Sequence, residues 1–77
     1  MNTVLDILEE KGNDVYRIDA DETVLEAARR MVEANVGSLL VTVEGEVVGI
    51  VTERDYLRRV AVEGRTGTDT FVREIMS

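Results

Sequence analysis

Residues 38–55 read SLLVTVEGEVVGIVTERD, and this stretch decides the fold. Two runs of β-forming residues, 38–43 and 46–52, are separated by only the pair Glu44-Gly45, which is typical of a tight hairpin turn. Both runs are almost continuously apolar. We therefore expect a β-hairpin whose two faces are both covered.

A helix is predicted on each side of this hairpin. After it, Thr52 and Asp55 have the spacing of a capping box with Asp in place of Glu, and apolar residues follow at helical spacing. Before it, Thr23 and Glu26 form the Ser/Thr-x-x-Glu box itself, with an apolar stripe that continues to about residue 35. These two boxes predict where both helices begin.

The outer segments complete the predicted order of elements. Residues 1–12 predict a short N-terminal helix, residues 15–18 a brief strand, and residues 64–70 a polar Gly/Thr linker. Residues 72–76 match the start of the first helix at four positions, each pair 68 residues apart. Chance similarity is one explanation, and the start of a second copy of the unit is the other.

We therefore predict an α+β fold, a small sheet in the order β-α-β-β-α with an additional N-terminal helix. The predicted domain boundaries are 1–12 for that helix, 13–63 for a single domain, and 64–77 for a linker and the start of a second repeat.

Composition excludes several classes of function. The chain has 77 residues and contains no Cys or His, so disulfides, Cys/His zinc sites and nucleophiles activated by histidine are excluded. Its carboxylates are scattered without a basic partner such as His, so an enzyme is not expected, and no metal site is predicted. A unit this short has a thin core, which makes a partner subunit plausible. No apolar run approaches the ~20 residues of a membrane span, and we expect a soluble, cytoplasmic protein.

Charge points to a small anionic ligand or to none. Nine basic and sixteen acidic residues give a net charge of −7, which disfavours binding to nucleic acid. Within residues 54–65, however, four arginines face only two acids, a local charge of +2. This basic island fits one small anion. It also fits ion pairs on a solvated helix face, and composition leaves both interpretations open.

Residues 49–55 place a buried strand directly before a helix N-terminus, where backbone N–H groups and the helix dipole attract phosphate. Asp55 is an acceptor of the kind that binds both hydroxyls of a ribose, and Arg54 and Arg58 are near enough in sequence to reach phosphate oxygens. The alternative is that Thr52 and Asp55 only cap their own helix, a role worth ~1 kcal/mol. On physical grounds alone, capping is favoured.

The series V-Y-R-I, T-V-L-E-A-A-R-R-M, V-G-S-L-L-V and V-V-G-I-V-T-E-R-D-Y-L-R resembles a cystathionine β-synthase (CBS) domain. The resemblance covers about residues 13–63 and includes the family's G-h-h-T-x-x-D element, where h is apolar. It implies two such domains packed side by side, with an adenosine-containing ligand such as AMP, ADP, ATP or S-adenosylmethionine in the cleft. No further cofactor is implied.

Carried over by position, the resemblance implies that Asp55 holds the ribose diol, that Thr52 contacts the ribose or the α-phosphate, and that Arg54 neutralises phosphate. It also implies a slot for adenine formed by Val15, Tyr16, Val36, Ser38 and Ile50. For the apolar members of that slot, a core role is the alternative.

Two functions follow as hypotheses. The first is a regulatory module that senses an adenine nucleotide and acts on a protein that the sequence does not identify. The second is a structural dimerisation module with an empty cleft, in which Thr52 and Asp55 serve as caps only. In both cases we expect a homodimer that imitates a tandem pair.

Overall fold

The computed structural model describes residues 16–77, and its elements follow the predicted order. They are β1 (Arg17–Asp19), α1 (Val24–Ala34), β2 (Ser38–Val43), β3 (Glu46–Thr52) and α2 (Glu53–Tyr56), followed by a π-helical turn (Leu57–Ala61) and a 3₁₀ turn (Val72–Glu74). The predicted α+β class is confirmed. The predicted N-terminal helix and Val15 lie outside the described residues. Within the described residues the first strand is Arg17–Asp19, which pairs in parallel with residues 40–42, so Tyr16 of the predicted strand 15–18 precedes it and Asp19 extends it.

The sheet has three strands in the order β1-β2-β3, with β1 parallel to β2 and β2 antiparallel to β3. The predicted hairpin is confirmed. Its two turn residues, Glu44 and Gly45, have φ of 52° and 85°, and positive φ at both positions is the mark of a type I′ turn.

A β-bulge interrupts the hairpin ladder. Val41 pairs with Gly49, but the next residue of β2, Thr42, pairs with Val47. Val48 is therefore the extra residue, and the bulge changes which residues of β3 face the core.

One face of the sheet carries the core. Ile18, Leu39, Val41 and Val51 are all buried there, and they pack with α1 through Val24, Ala27 and Met31. The opposite face carries the cross-strand pair Leu40–Ile50, and Ile50 is 38% exposed. Within residues 16–77, helices pack on one face of the sheet only. That both faces of the hairpin are covered stays a prediction.

The two predicted capping boxes differ in outcome. At α1, Thr23 Oγ1 accepts a hydrogen bond from the Glu26 N–H (3.2 Å), but the Glu26 carboxylate binds Arg29 (3.0 Å) and Arg30 (3.1 Å) instead of returning to Thr23. Half of that box is present. At α2 the box is complete, as described below.

The helix after β3 is not a regular α-helix. After Tyr56 it widens, and the Val62 N–H donates to the Leu57 carbonyl (2.9 Å), five residues earlier. Within this wider turn Val60 is buried, whereas Leu57 is 57% exposed. The predicted apolar stripe on this helix is therefore split by the π-helical turn.

Residues 70–77, called the C-terminal strap here, pack against the same unit. Thr70, Val72 and Ile75 are fully or almost fully buried. The Thr70 carbonyl accepts the Val24 N–H at the start of α1 (2.9 Å), and the Val72 N–H donates to the Glu22 carbonyl (2.9 Å). The strap thus completes this core. That a second repeat starts here stays a prediction.

Candidate ligand site at the end of β3

Thr52 and Asp55 cap α2 reciprocally. The Thr52 N–H donates to Asp55 Oδ2 (2.9 Å), and the Asp55 N–H donates to Thr52 Oγ1 (3.1 Å). Extended backbone at Thr52, with φ −125° and ψ 164°, allows β3 to run directly into the helix. The capping role that the sequence predicts for this pair is confirmed.

The cap leaves part of each side chain unused. Within residues 16–77, Asp55 Oδ1 accepts no hydrogen bond and the Thr52 hydroxyl donates none. Both residues are only half-buried, so solvent reaches this point. One acceptor and one donor therefore remain side by side at the end of β3.

The chain segment before β2 lies beside this point. Ser38 is the cross-strand partner of Thr52, and the Glu53 N–H donates to the Gly37 carbonyl (3.0 Å). Side chains two residues apart on a strand point to the same face, so Ser38 lies on the face of Leu40. Ser38 and its partner Thr52 therefore share with Ile50 the face opposite the core, called the open face here. Three of the predicted site residues are therefore brought together, with Asp55 directly after them.

Unpaired positive charge gathers next to the cap. Asp55, Arg58, Arg59 and Glu63 line a surface cavity of about 380 Å³. Arg54, Arg58 and Arg59 are exposed and form no ion pair with another residue in 16–77, whereas four other arginines do: Arg29, Arg30, Arg65 and Arg73. The sequence points to Arg58 as a phosphate ligand but not to Arg59, although the spacing of four residues between Asp55 and Arg59 indicates the same helix face.

The remaining predicted residues lie elsewhere. Val36 lines a different cavity, of about 340 Å³, between α1 and α2, together with Val32, Tyr56 and Leu57. Tyr16 is half-buried immediately before β1. Their roles toward a ligand stay predictions.

Two negative observations apply to residues 16–77 alone. That part of the chain holds no cluster of three or more carboxylates suited to a metal ion. It also holds no helix with the length and apolar character needed to cross a membrane.

A family model described as the CBS domain matches residues 4–62. The chain belongs to the CBS domain family. It is 39% identical over 82 residues to the CBS domain-containing protein CBSX3, mitochondrial, of Arabidopsis thaliana, covering 97% of this chain and 40% of that protein. CBS domain proteins are commonly regulatory modules.

Solved structures agree with this CBS assignment. A putative signal-transduction protein with CBS domains from Burkholderia ambifaria MC40-6 is 38% identical with a TM-score of 0.80, over 99% of this chain and 58% of that one. A hexameric CBS-CP12 protein from bloom-forming cyanobacteria is 34% identical with a TM-score of 0.74, over 84% of this chain and 39% of that one. The chain therefore spans only part of the length of these relatives.

Proposed function

We propose that this CBS domain is a regulatory module that binds an adenosine-containing ligand, AMP, ADP, ATP or S-adenosylmethionine, at the end of β3. One observation supports the proposal: a hydrogen-bond acceptor and a donor without partners lie next to arginines without ion pairs. Asp55 Oδ1 and the Thr52 hydroxyl have no partner within residues 16–77, and Arg54, Arg58 and Arg59 beside them form no ion pair there.

The chemistry of a nucleotide suits this arrangement. A ribose diol both donates and accepts hydrogen bonds, so it complements a carboxylate oxygen next to a hydroxyl. Phosphate oxygens suit guanidinium groups, which bind them with charge-assisted hydrogen bonds. This role involves no catalytic step and no further cofactor. The module would act on a partner protein, and we propose that it does so in the cytoplasm.

The cleft requires a second domain, and we propose a second copy of the chain. The open face of the sheet carries the Leu40–Ile50 pair, and Val47, at 50% exposure, lies on the same face opposite Thr42. A second sheet placed there would cover this apolar surface and form one wall of the cleft. The hexameric structural neighbour supports assembly in general.

A structural dimerisation module is the second candidate, and the reciprocal cap favours it. Thr52 and Asp55 already stabilise α2 without any ligand. In that case the homodimer is the whole function, and the cleft stays empty.

Ligand-induced stabilisation separates the two candidates. Thermal unfolding is measured with AMP, ADP, ATP, NAD and S-adenosylmethionine, each in large excess, because a ligand at 100 times its Kd adds about 2.7 kcal/mol of stability. A rise in Tm with an adenine nucleotide supports the regulatory role. No rise with any of the five, from a chain that is dimeric by light scattering, supports the structural role.

Arg54→Ala tests the phosphate contact within the same assay. The variant should weaken the binding of ATP more than the binding of adenosine. This difference in affinity should shrink at high salt, because solvent-exposed charges are screened. Arg29→Ala, on the outer surface of α1, is the matched control. Equal weakening of ATP and adenosine by Arg54→Ala would contradict the phosphate contact.

A further inference from the structure

The outer edge of β3 is occupied by the C-terminal strap. Ile50 donates its N–H to the Ser77 carbonyl (3.0 Å), and Ser77 donates its N–H to the Ile50 carbonyl (2.9 Å). This exchange of both bonds is the pattern of a hydrogen-bonded antiparallel pair. The strap therefore adds itself to an edge that would otherwise present unpaired N–H and C=O groups.

Gly49 makes this close approach possible. A Cβ atom at Gly49 would lie 2.4 Å from the Ser77 carbonyl oxygen, a backbone atom that must then move. Gly37 offers a contrast, since a Cβ there would meet only the flexible end of the Glu53 side chain at 3.4 Å. A methyl group at position 49 therefore acts specifically on the strap.

The candidate ligand site occupies the next place along the same edge. Backbone groups alternate along a strand, so Ile50 and Thr52 direct their N–H groups to the same side. Ile50 pairs with Ser77, and the Thr52 N–H is bound by Asp55 Oδ2 (2.9 Å). The two interactions are two residues apart, about 6.6 Å along the strand.

We propose that the strap is coupled to the ligand site through this edge of β3, so that ligand binding and the Ile50–Ser77 pairing favour each other. The proposal rests on the proposed function. A ribose bound at Asp55 Oδ1 holds the other carboxylate oxygen on the Thr52 N–H, which orders the end of β3. Ile50 belongs to the same short edge, so its pairing groups are then held in place for Ser77.

The strap carries this coupling to the other end of the unit. Its Thr70 carbonyl holds the start of α1, and its Arg73 N–H donates to the Ala20 carbonyl (3.0 Å) in the loop after β1. A change in the Ile50–Ser77 pairing can therefore alter the strap's hydrogen bonds to the β1–α1 connection. The strap is in this way the output element of the module.

Amide hydrogen exchange measured by NMR tests the coupling. Saturating ATP should slow exchange of the Ile50 and Ser77 amides. Gly49→Ala should speed exchange of both amides and, because coupling is reciprocal, weaken ATP binding by at least about fivefold. Gly37→Ala is the matched control and should leave exchange of the Ser77 amide unchanged. Without any ligand, Asp55→Ala should speed exchange of both amides by about fivefold or more beyond its effect on the Val41 amide of the central strand, which reports the general loss of stability.

The outcomes separate this proposal from the proposed function. If ATP binds the natural chain and Gly49→Ala equally and leaves both amides unaffected, the coupling is overturned while the nucleotide site stands. If ATP does not bind, the proposed function fails. The coupling between the end of β3 and the strap is then tested by amide exchange in Asp55→Ala alone. Exchange of Ser77 that speeds up no more than that of Val41 in that variant would overturn it. Should Gly49→Ala not fold, the ATP and Asp55→Ala measurements decide in the same way.

Discussion

Asp55 uses its two carboxylate oxygens differently. Oδ2 accepts the Thr52 N–H (2.9 Å), and Oδ1 has no partner within residues 16–77. Capping and ligand binding are therefore not exclusive alternatives at this residue, because one oxygen can serve each. A ligand that binds Oδ1 finds the side chain already held in place, which lowers the entropic cost of binding.

Asp55→Ala should reduce both stability and affinity. Loss of the cap should lower the free energy of unfolding by about 0.5–2 kcal/mol. Loss of the ribose contact should weaken nucleotide binding by a further step, since hydrogen bonds to charged groups contribute about 1.5–3 kcal/mol. Urea unfolding and calorimetric titration measure the two effects. Glu46→Ala, an exposed carboxylate at the start of β3, is the control. A lower stability with unchanged affinity would show that Asp55 is a cap only.

How far the sequence predicts the site depends on whether the signal is local. The box at Thr52 and Asp55 was predictable because both partners lie within one turn of helix. The half-formed box at Thr23 was not, because Glu26 binds Arg29 and Arg30 instead, and side-chain competition of this kind leaves no mark in residue spacing. The open face of Ser38, Ile50 and Thr52 follows from alternation, once the register of the hairpin is known.

Among the elements, the strap has the clearest electrostatic signature. Glu74 Oε2 accepts the Phe71 N–H (2.8 Å), and Oε1 binds Arg65 (2.5 Å). The hydrogen bond from the Phe71 backbone first, and the Arg65 side chain second, lower the pKa of Glu74 below its ordinary value of 4.5. Both partners favour the charged form of this carboxylate.

Acid should therefore loosen the strap. A carboxyl group whose pKa is lower in the folded state contributes stability above its unfolded pKa, and this stability is lost as the pH falls through the folded value. We expect the free energy of unfolding of the natural chain to fall below about pH 4.5 more steeply than that of Glu74→Gln. Urea unfolding between pH 7 and pH 3 measures this, with Glu46→Gln as the control. Parallel curves for the natural chain and Glu74→Gln would contradict it.

Truncation of Ile75 tests whether the strap is part of the core. Ile75 is fully buried at 0% exposure, so Ile75→Ala should lower the free energy of unfolding by about 2–5 kcal/mol through lost burial and a cavity. Val62→Ala is the control, because Val62 is 81% exposed and its truncation should cost little. Urea unfolding at neutral pH compares them. A cost for Ile75→Ala as small as that of the control would mean that the strap is not packed in solution.

The irregular elements could not be predicted in the same way. The bulge at Val48 and the π-helical turn after Tyr56 each insert one residue into a regular pattern. Each irregularity lies in an element that contributes a fully buried residue to the core, Val51 in β3 and Val60 in the π-helical turn. Residue propensities and spacing describe regular strands and helices, so they predict the regular element and do not reveal an inserted residue.

For the whole molecule, the distribution of exposed apolar surface decides what else must be covered. Residues 64–77 are predicted as a linker and the start of a second repeat, yet Val72 and Ile75 of the strap are buried in the core of this unit. In the part of the chain that the structure describes, helices cover one face of the sheet, and the other face carries Leu40, Val47 and Ile50. The fold class follows from the sequence, but the surface left open depends on long-range packing.

We predict that this open face joins two copies of the chain. The natural chain should be a dimer by light scattering at tens of micromolar, because a second sheet would bury the Leu40–Ile50 pair that one chain leaves partly exposed. Val47→Glu places a charge on that face and should give a monomer, because an unpaired charge buried at an interface is costly. Val62→Glu, a charge on a residue outside the sheet, should leave the dimer intact. A dimer that survives Val47→Glu but not Val62→Glu would place the interface on the helical side, and the cleft would then lack its second wall.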